Sequence, residues 1–411
     1  MTTVLIVFLF VYLGMFLGEL PFLQIDRTGI ALLGAIALVG FGAVSPEEAA
    51  QSVHLPTLLL LFSFMVVSAQ MRLGGFYARV TQRIATAAVG PPLLLALLIT
   101  AVAALSAVFS NDIVCLAMAP VLADACIRRR LNPVPFLLAL ACAANVGSAA
   151  TLIGNPQNML IGETLRLSFA GYALVAIVPV LAGLAATWGV IAWASRGHWA
   201  LDAKRAAELP ERRLEDEAVF DLWQTAKGLT VAGALLMVFL FSAMPREVAA
   251  LTGAGLLLLS RRLHTNKMLG LVDWELLVLF IGLFVVNHAF QEAGFAARAL
   301  TWLSDAGLRL EAPGPLIAVT FVASNLVSNV PAVMLLLPAA TEPWSGPLLA
   351  LASTLAGNLL IVGSIANIIV VDAAARRGIR IDWRMHARIG VPVTLVTLAL
   401  ATAWLFIRYP R

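Results

Sequence analysis

The chain has 411 residues, 61% hydrophobic and 12% charged, with a mean hydropathy of +0.93 and a formal charge of +4. A soluble domain carries about twice that charged fraction, so the composition excludes a soluble enzyme and implies a lipid bilayer, not nucleic acid, as the main partner. Apolar runs near 20 residues recur from end to end, the pattern of an all-α polytopic membrane protein.

The first run, Val4 to Leu17, has no basic residue before it and no small-residue cleavage site, and reads as a span and not a signal peptide. Ten transmembrane helices are expected, at roughly 3–22, 28–45, 55–73, 134–162, 171–195, 226–244, 247–263, 273–291, 346–372 and 388–408. Two further segments, 93–128 and 313–341, each consist of two short apolar arms joined at a polar tip, and read as re-entrant hairpins. The polar stretch 196–225 reads as a cytoplasmic linker, a solvated tether between a first half (1–195) and a second (226–411). Cys115, Cys126 and Cys142 lie in apolar surroundings with no CxxC pair, so neither a disulfide nor a metal site is expected.

The halves repeat one another. Ser110-Asn111-Asp112 is followed by Pro120, nine residues after its Asn; Ser328-Asn329-Val330 is followed by Pro338 at the same distance. Gly154-Asn155-Pro156-Gln157-Asn158 answers to Gly363-Ser364-Ile365-Ala366-Asn367. Leu58 to Phe76 aligns without gaps on Leu277 to Phe295, and Arg27 and Gly34 fall on Arg246 and Gly253 at the same offset of 219. Five spans per half is an odd number, so the second repeat is inverted relative to the first. With both termini outside, 21 of the 27 Lys and Arg fall on the cytoplasmic side, a strong positive-inside bias. The first hairpin then opens to the cytoplasm and the second to the exterior.

Interrupted apolar segments at matching places in two halves point to a transporter's binding site. At each tip, and after the breaks at Gly154 and Gly363, a helix starts in mid-membrane, and its free N–H groups bind anions or polar oxygens without a basic side chain. The expected substrate-binding groups are Ser110, Asn111, Ser328, Asn329, Ser148, Thr151, Asn155, Asn158, Ser364 and Asn367. Asp112 is the one acid at a tip, opposite Val330 in the repeat. A carboxylate at that depth must pair with a cation or take up a proton, which makes it the expected ion-coupling residue. Asp124 reads as a surface partner of the neighbouring Arg128 to Arg130, Asp273 and Glu275 as caps, and His288, which with Asn287 interrupts a span, as a core histidine.

These motifs resemble the ion transporter superfamily of arsenite permeases, sodium/proton antiporters and divalent anion:sodium symporters, over nearly the whole chain. Phe109-Ser110-Asn111-Asp112 with Leu116 and Pro120 is similar to the Phe-x-Asn-Asp pattern of the arsenical pump membrane protein, and Asn329-Val330-Pro331 and Gly363 to Ala366 match its second half. The stretch Asn145 to Asn158 is more similar to the anion permease branch with its citrate-transporter-like domain, where Ser-Asn-Thr tips help bind sodium and substrate. Asp112 and Val330 replace those threonines, a departure that favours proton coupling over two symmetric sodium sites; the alternative is a sodium ion near Asn111, Asp112 and Asn158. The resemblance implies a hairpin-bearing domain that moves against a scaffold, in a homodimer.

The expected function is secondary transport of a small inorganic solute or anion across a bacterial-type inner membrane, first arsenite or antimonite efflux in exchange for protons. Sodium-coupled anion or dicarboxylate symport and sodium/proton exchange are the alternatives. No paired-carboxylate, Ser-His or HExxH constellation lies in the spans, so an intramembrane enzyme is not expected, and inverted broken helices favour alternating access over a channel. No cofactor is expected. Without a Walker motif, energy comes from a proton or sodium gradient or from a separate ATPase subunit.

Overall fold

A computed structural model of the chain describes residues 1–18, 24–201 and 220–409. Most of the linker expected at 196–225 lies outside the described residues. Among those described there are twenty α-helices and no strand: α1 Thr2–Leu17, α2 Arg27–Gly40, α3 Pro46–Ser52, α4 Leu55–Leu73, α5 Phe76–Ala85, α6 Pro91–Val108, α7 Asn111–Arg128, α8 Pro133–Ser148, α9 Pro156–Thr164 and α10 Phe169–Ala194 in the first half. The second half holds α11 Leu222–Phe241, α12 Arg246–Leu258, α13 Thr265–Leu269, α14 Trp274–Glu292, α15 Phe295–Asp305, α16 Pro313–Val327, α17 Asn329–Leu336, α18 Ser345–Ala356, α19 Ile365–Ala375 and α20 Trp383–Arg408. Six of these (α4, α6, α10, α11, α14 and α20) are long and apolar enough to cross a bilayer by length and composition.

Local sequence accounts for the boundaries. Asp26, Asn132, Asn155, Ser168, Asp221, Asp273 and Asp382 each accept a backbone N–H at a helix start, which satisfies donors that a helix leaves open. Prolines at the first turn of α6, α8, α9 and α16 forgo an N–H that would have no partner there. Gly75 and Gly294, 219 residues apart, both take the left-handed conformation (φ 69° and 75°) that turns the chain from α4 into α5 and from α14 into α15. The two halves therefore turn the same corner with the same residue.

Packing is reciprocal. α4 lies along α12, and its counterpart α14 lies along α2; α11 lies against α4 as α1 lies against α14; α10 lies along its own counterpart α20. Each hairpin arm that starts at an Asn rests on the other half's broken helix, α7 on α19 and α17 on α9. The hairpins themselves are unequal. Both arms of the first are 18 residues, about 27 Å at 1.5 Å per residue, longer than the short arms expected from sequence. The second has arms of 15 and 8 residues, and its Pro338 falls in a 3-10 turn, Leu337–Ala339, whereas α7 runs on through Pro120.

Candidate functional site

Two breaks divide what would otherwise be single spans. α8 ends at Ser148 and α9 resumes at Pro156; α18 ends at Ala356 and α19 resumes at Ile365. The first break is seated against the first hairpin in part by backbone: Asn111 N donates to Gly154 O at 3.2 Å. Gly154 is required there, because a Cβ would collide with the carbonyl oxygens of Ser148 and Ser106. Thr151 ties the same loop to α6, its Oγ1 donating to Ala107 O.

A polar network fills the centre. Asn145, in α8, accepts at Oδ1 from Asn111 Nδ2 (3.1 Å) and Ser364 Oγ (2.9 Å). Its Nδ2 donates to Asn358 Oδ1 (2.8 Å) and Asn367 Oδ1 (3.3 Å). Thr354, in α18, accepts at Oγ1 from Asn155 Nδ2 and Gln157 Nε2, both at 3.2 Å, and donates to Asn158 Oδ1 at 3.3 Å. Asn145 and Thr354 are 209 residues apart, the offset that also carries Asn155 onto Ser364 and Asn158 onto Asn367. Each hub thus grips the broken helix of the other half. Ser148 Oγ accepts from Asn155 Nδ2 (2.9 Å), Asn158 Nδ2 donates to Thr151 O (2.9 Å), and Asn367 Nδ2 donates to Gly357 O (2.8 Å) and Leu360 O (3.0 Å). Buried amides in an apolar bundle are stable only when paired, and here most are paired with one another.

The structure brings Asn111, Ser148, Thr151, Asn155, Asn158, Ser364 and Asn367 into this region as bonded groups. Asn329 packs beside Gly357, where a Cβ would stand 3.1 Å from its Nδ2, but makes no side-chain hydrogen bond among the described residues. Ser110 and Ser328 make no side-chain cap bond. Asp112 is half-buried, outside the network, and forms no hydrogen bond or ion pair among the described residues; it stands within electrostatic reach of Asp273, the cap of α14. The buried atoms left without a partner here are mostly acceptors: Oδ1 of Asn111, Asn325 and Asn329. Among the described residues one ionisable side chain joins the network's hydrogen bonds, the buried His386, whose Nε2 lies 3.0 Å from Asn358 O; no Lys, Arg, Asp or Glu does.

Asn145, Thr354, Asn358 and Gln157 were missing from the sequence-based site, although Gln157 lies inside the Gly154–Asn158 motif; laying the repeat over 134–162 would have paired Asn145 with Thr354. Two other expectations are corrected. Asp124 pairs not with its neighbours Arg128 to Arg130 but with Arg377 at 2.8 Å, at the end of α19. The expected span 273–291 forms as the single helix α14, with Asn287 and His288 within it. His288 is half-buried and faces Glu48 electrostatically, so it is not a core residue; the buried one is Asn287, which accepts from Tyr12 Oη at 2.9 Å. All three cysteines are buried and free. A cavity of about 530 Å³ beside Glu311, Trp344 and Arg408 lies at the end of the second hairpin, away from the asparagines.

Broken helices, hairpins that start new helices beside them, and reciprocal halves define a membrane transporter and not an enzyme. A family model described as "Citrate transporter" matches residues 8–346, and the chain belongs to that family. It is 30% identical to a 46 kDa membrane protein of Mycobacterium leprae (94% of this chain, 95% of that protein) and 28% identical to a silicon efflux transporter of Oryza sativa (93% of each). A putative transporter arsB of Dictyostelium discoideum is 22% identical over 92% of this chain and 87% of that protein. The crystal structure of the YdaH transporter of Alcanivorax borkumensis shares the fold, with a TM-score of 0.55 at 13% identity, covering 99% of this chain and 96% of that one.

Proposed function

We propose that the protein moves a small, uncharged, hydroxylated inorganic solute out of the cell across the plasma membrane, arsenous or antimonous acid first, in exchange for protons carried by Asp112. The observation behind this reading is the chemistry of the centre. Of its buried side-chain amide atoms without a partner, three are acceptors, on Asn111, Asn325 and Asn329, against one donor, Asn358 Nδ2, and no Lys or Arg joins the network. Acceptors suit a solute that donates hydrogen bonds through hydroxyls, whereas a carboxylate or sulfate would need donors or positive charge to offset its desolvation. The silicon efflux transporter and the arsB-named relative carry solute names of that kind. The same acceptors would suit a sodium ion, and the "Citrate transporter" description of the family keeps sodium-coupled anion symport as the second reading.

On this reading the two halves are inverted repeats, 1–195 and 226–411, both termini lie outside, and the first hairpin opens to the cytoplasm. Transport proceeds by alternating access around the asparagines. The test uses proteoliposomes that hold a pH-sensitive dye, given arsenite, antimonite, silicic acid, citrate or sodium in turn. A proton signal with arsenite or antimonite, lost in Asp112→Asn, is the expected result. A signal with sodium alone, or citrate uptake that requires sodium, would reject the proposal in favour of the second reading.

A further inference from the structure

The repeat carries an arginine and a carboxylate in each half. Arg27 opens α2 and Arg246 opens α12, 219 residues apart; Glu163 in α9 falls on Asp372 in α19 at the offset of 209 that also maps Gly154 onto Gly363. A two-fold relation that puts Arg246 beside Glu163 would put Arg27 beside Asp372. Only the first pair is made. Arg246 Nε lies 2.8 Å from Glu163 Oε1, with the side chains 14% and 9% exposed, and Arg246 Nη2 donates to Gly162 O at 2.9 Å.

The matching groups are idle. Arg27 makes no ion pair among the described residues, and its Nε is buried without a partner. Asp372 is 54% exposed and pairs with Arg376, four residues on. Both broken helices rest on the other half's hairpin arm and broken span, α9 on α17 and α18 and α19 on α7 and α8, but α9 rests in addition on α4, a packing that α19 does not match on α14. Arg246–Glu163 therefore ties the first half's broken helix to α12 of the second half, while the second half's broken helix is tied through Arg377–Asp124 to the first hairpin.

We propose that Arg27 and Asp372 form the latch of the opposite-facing conformation. In that state Arg246 and Glu163 part, and Arg27 takes Asp372 from Arg376. An exposed i,i+4 pair is weak and easily given up, while a desolvated guanidinium without a partner gains from finding one. Two like latches, one per state, keep the two conformations close in free energy, as a reversible carrier requires. With the sidedness proposed above, the described conformation is latched outside and unlatched inside. The inference rests on the alternating-access reading and is independent of the solute.

The test compares two double-cysteine variants in native membranes, Arg27→Cys with Asp372→Cys and Glu163→Cys with Arg246→Cys, using a short bismaleimide; Cys115, Cys126 and Cys142 are buried and shielded from it. Both pairs are expected to cross-link, and each cross-link is expected to stop transport. Arg246→Gln, which removes the existing latch, is expected to raise the yield at 27/372 about tenfold. As a check that does not need cysteines, Arg27→Asp is expected to impair transport and Arg27→Asp with Asp372→Arg to restore it. If labels on α9 report two conformations but 27/372 never cross-links and the charge exchange does not rescue, the latch is wrong and alternating access stands. If no second conformation exists, both fall.

Discussion

The two hairpin tips have nearly the same sequence and different structures. Ser110 sits at φ −55° and hands the chain to Asn111, whose N–H and side chain are both bonded, to Gly154 and Asn145. Ser328 is held at φ 76°, ψ 160°, a conformation that costs a residue with a Cβ about 1–3 kcal/mol. Asn329 after it has no side-chain partner among the described residues. One tip is docked and relaxed, while the other is strained and open. On the alternating-access reading proposed above, that difference marks which half is engaged in this conformation and which is ready to change.

The largest expected effect tests the docked side. Gly154→Ala should lower stability by about 3 kcal/mol and abolish transport, because its Cβ meets backbone, whereas Gly363→Ala meets only Asn325 Oδ1, at 3.0 Å, and should cost about 1 kcal/mol or less. Thermal unfolding in detergent measures both, and equal losses would remove the asymmetry. Next, Asn145→Ala deletes four hydrogen bonds, three of them across the halves, and should cost about 2 kcal/mol, at the roughly 0.6 kcal/mol typical of a bond between membrane helices. Thr354→Ser keeps the hydroxyl and should be near neutral in the same assay.

Asn111→Ala and Asn329→Ala separate binding from stability. Both should abolish solute flux, but only Asn111→Ala should also destabilise, by about 0.6 kcal/mol. Near-normal flux in either removes that residue from the site. The smallest effect is a gain. Ser328→Gly should stabilise the described conformation by up to about 1 kcal/mol, while Ser110→Gly, at an ordinary φ, should not; a loss at Ser328 would mean that the strained backbone is compensated by contacts of its side chain.

The tips and breaks were legible in the sequence because an Asn or Gly inside an apolar run has few structural excuses, and because each occurred twice. The partners of those residues were not. Asn145 and Thr354 lie one to a helix, and their meaning depends on where the other half's chain passes. Asp124 looked satisfied by three arginines nearby in sequence, but the helix end at Arg377 reaches it from 253 residues away. The first hairpin's arms run to 18 residues because nothing in α7 stops at Pro120, while Pro338 in the equivalent place ends α17 in a 3-10 turn. Proline alone did not decide between those outcomes.

The two hubs are also complementary in side-chain length. Asn145, with the longer side chain, meets the short Ser364; Thr354, with the shorter one, meets the long Asn155. A similar distance is spanned in both, with the long and the short residue on opposite sides. Because the two side chains at each hub are matched in length, a longer or shorter residue on one side has to be answered by the opposite change in the other half if the span is to be kept.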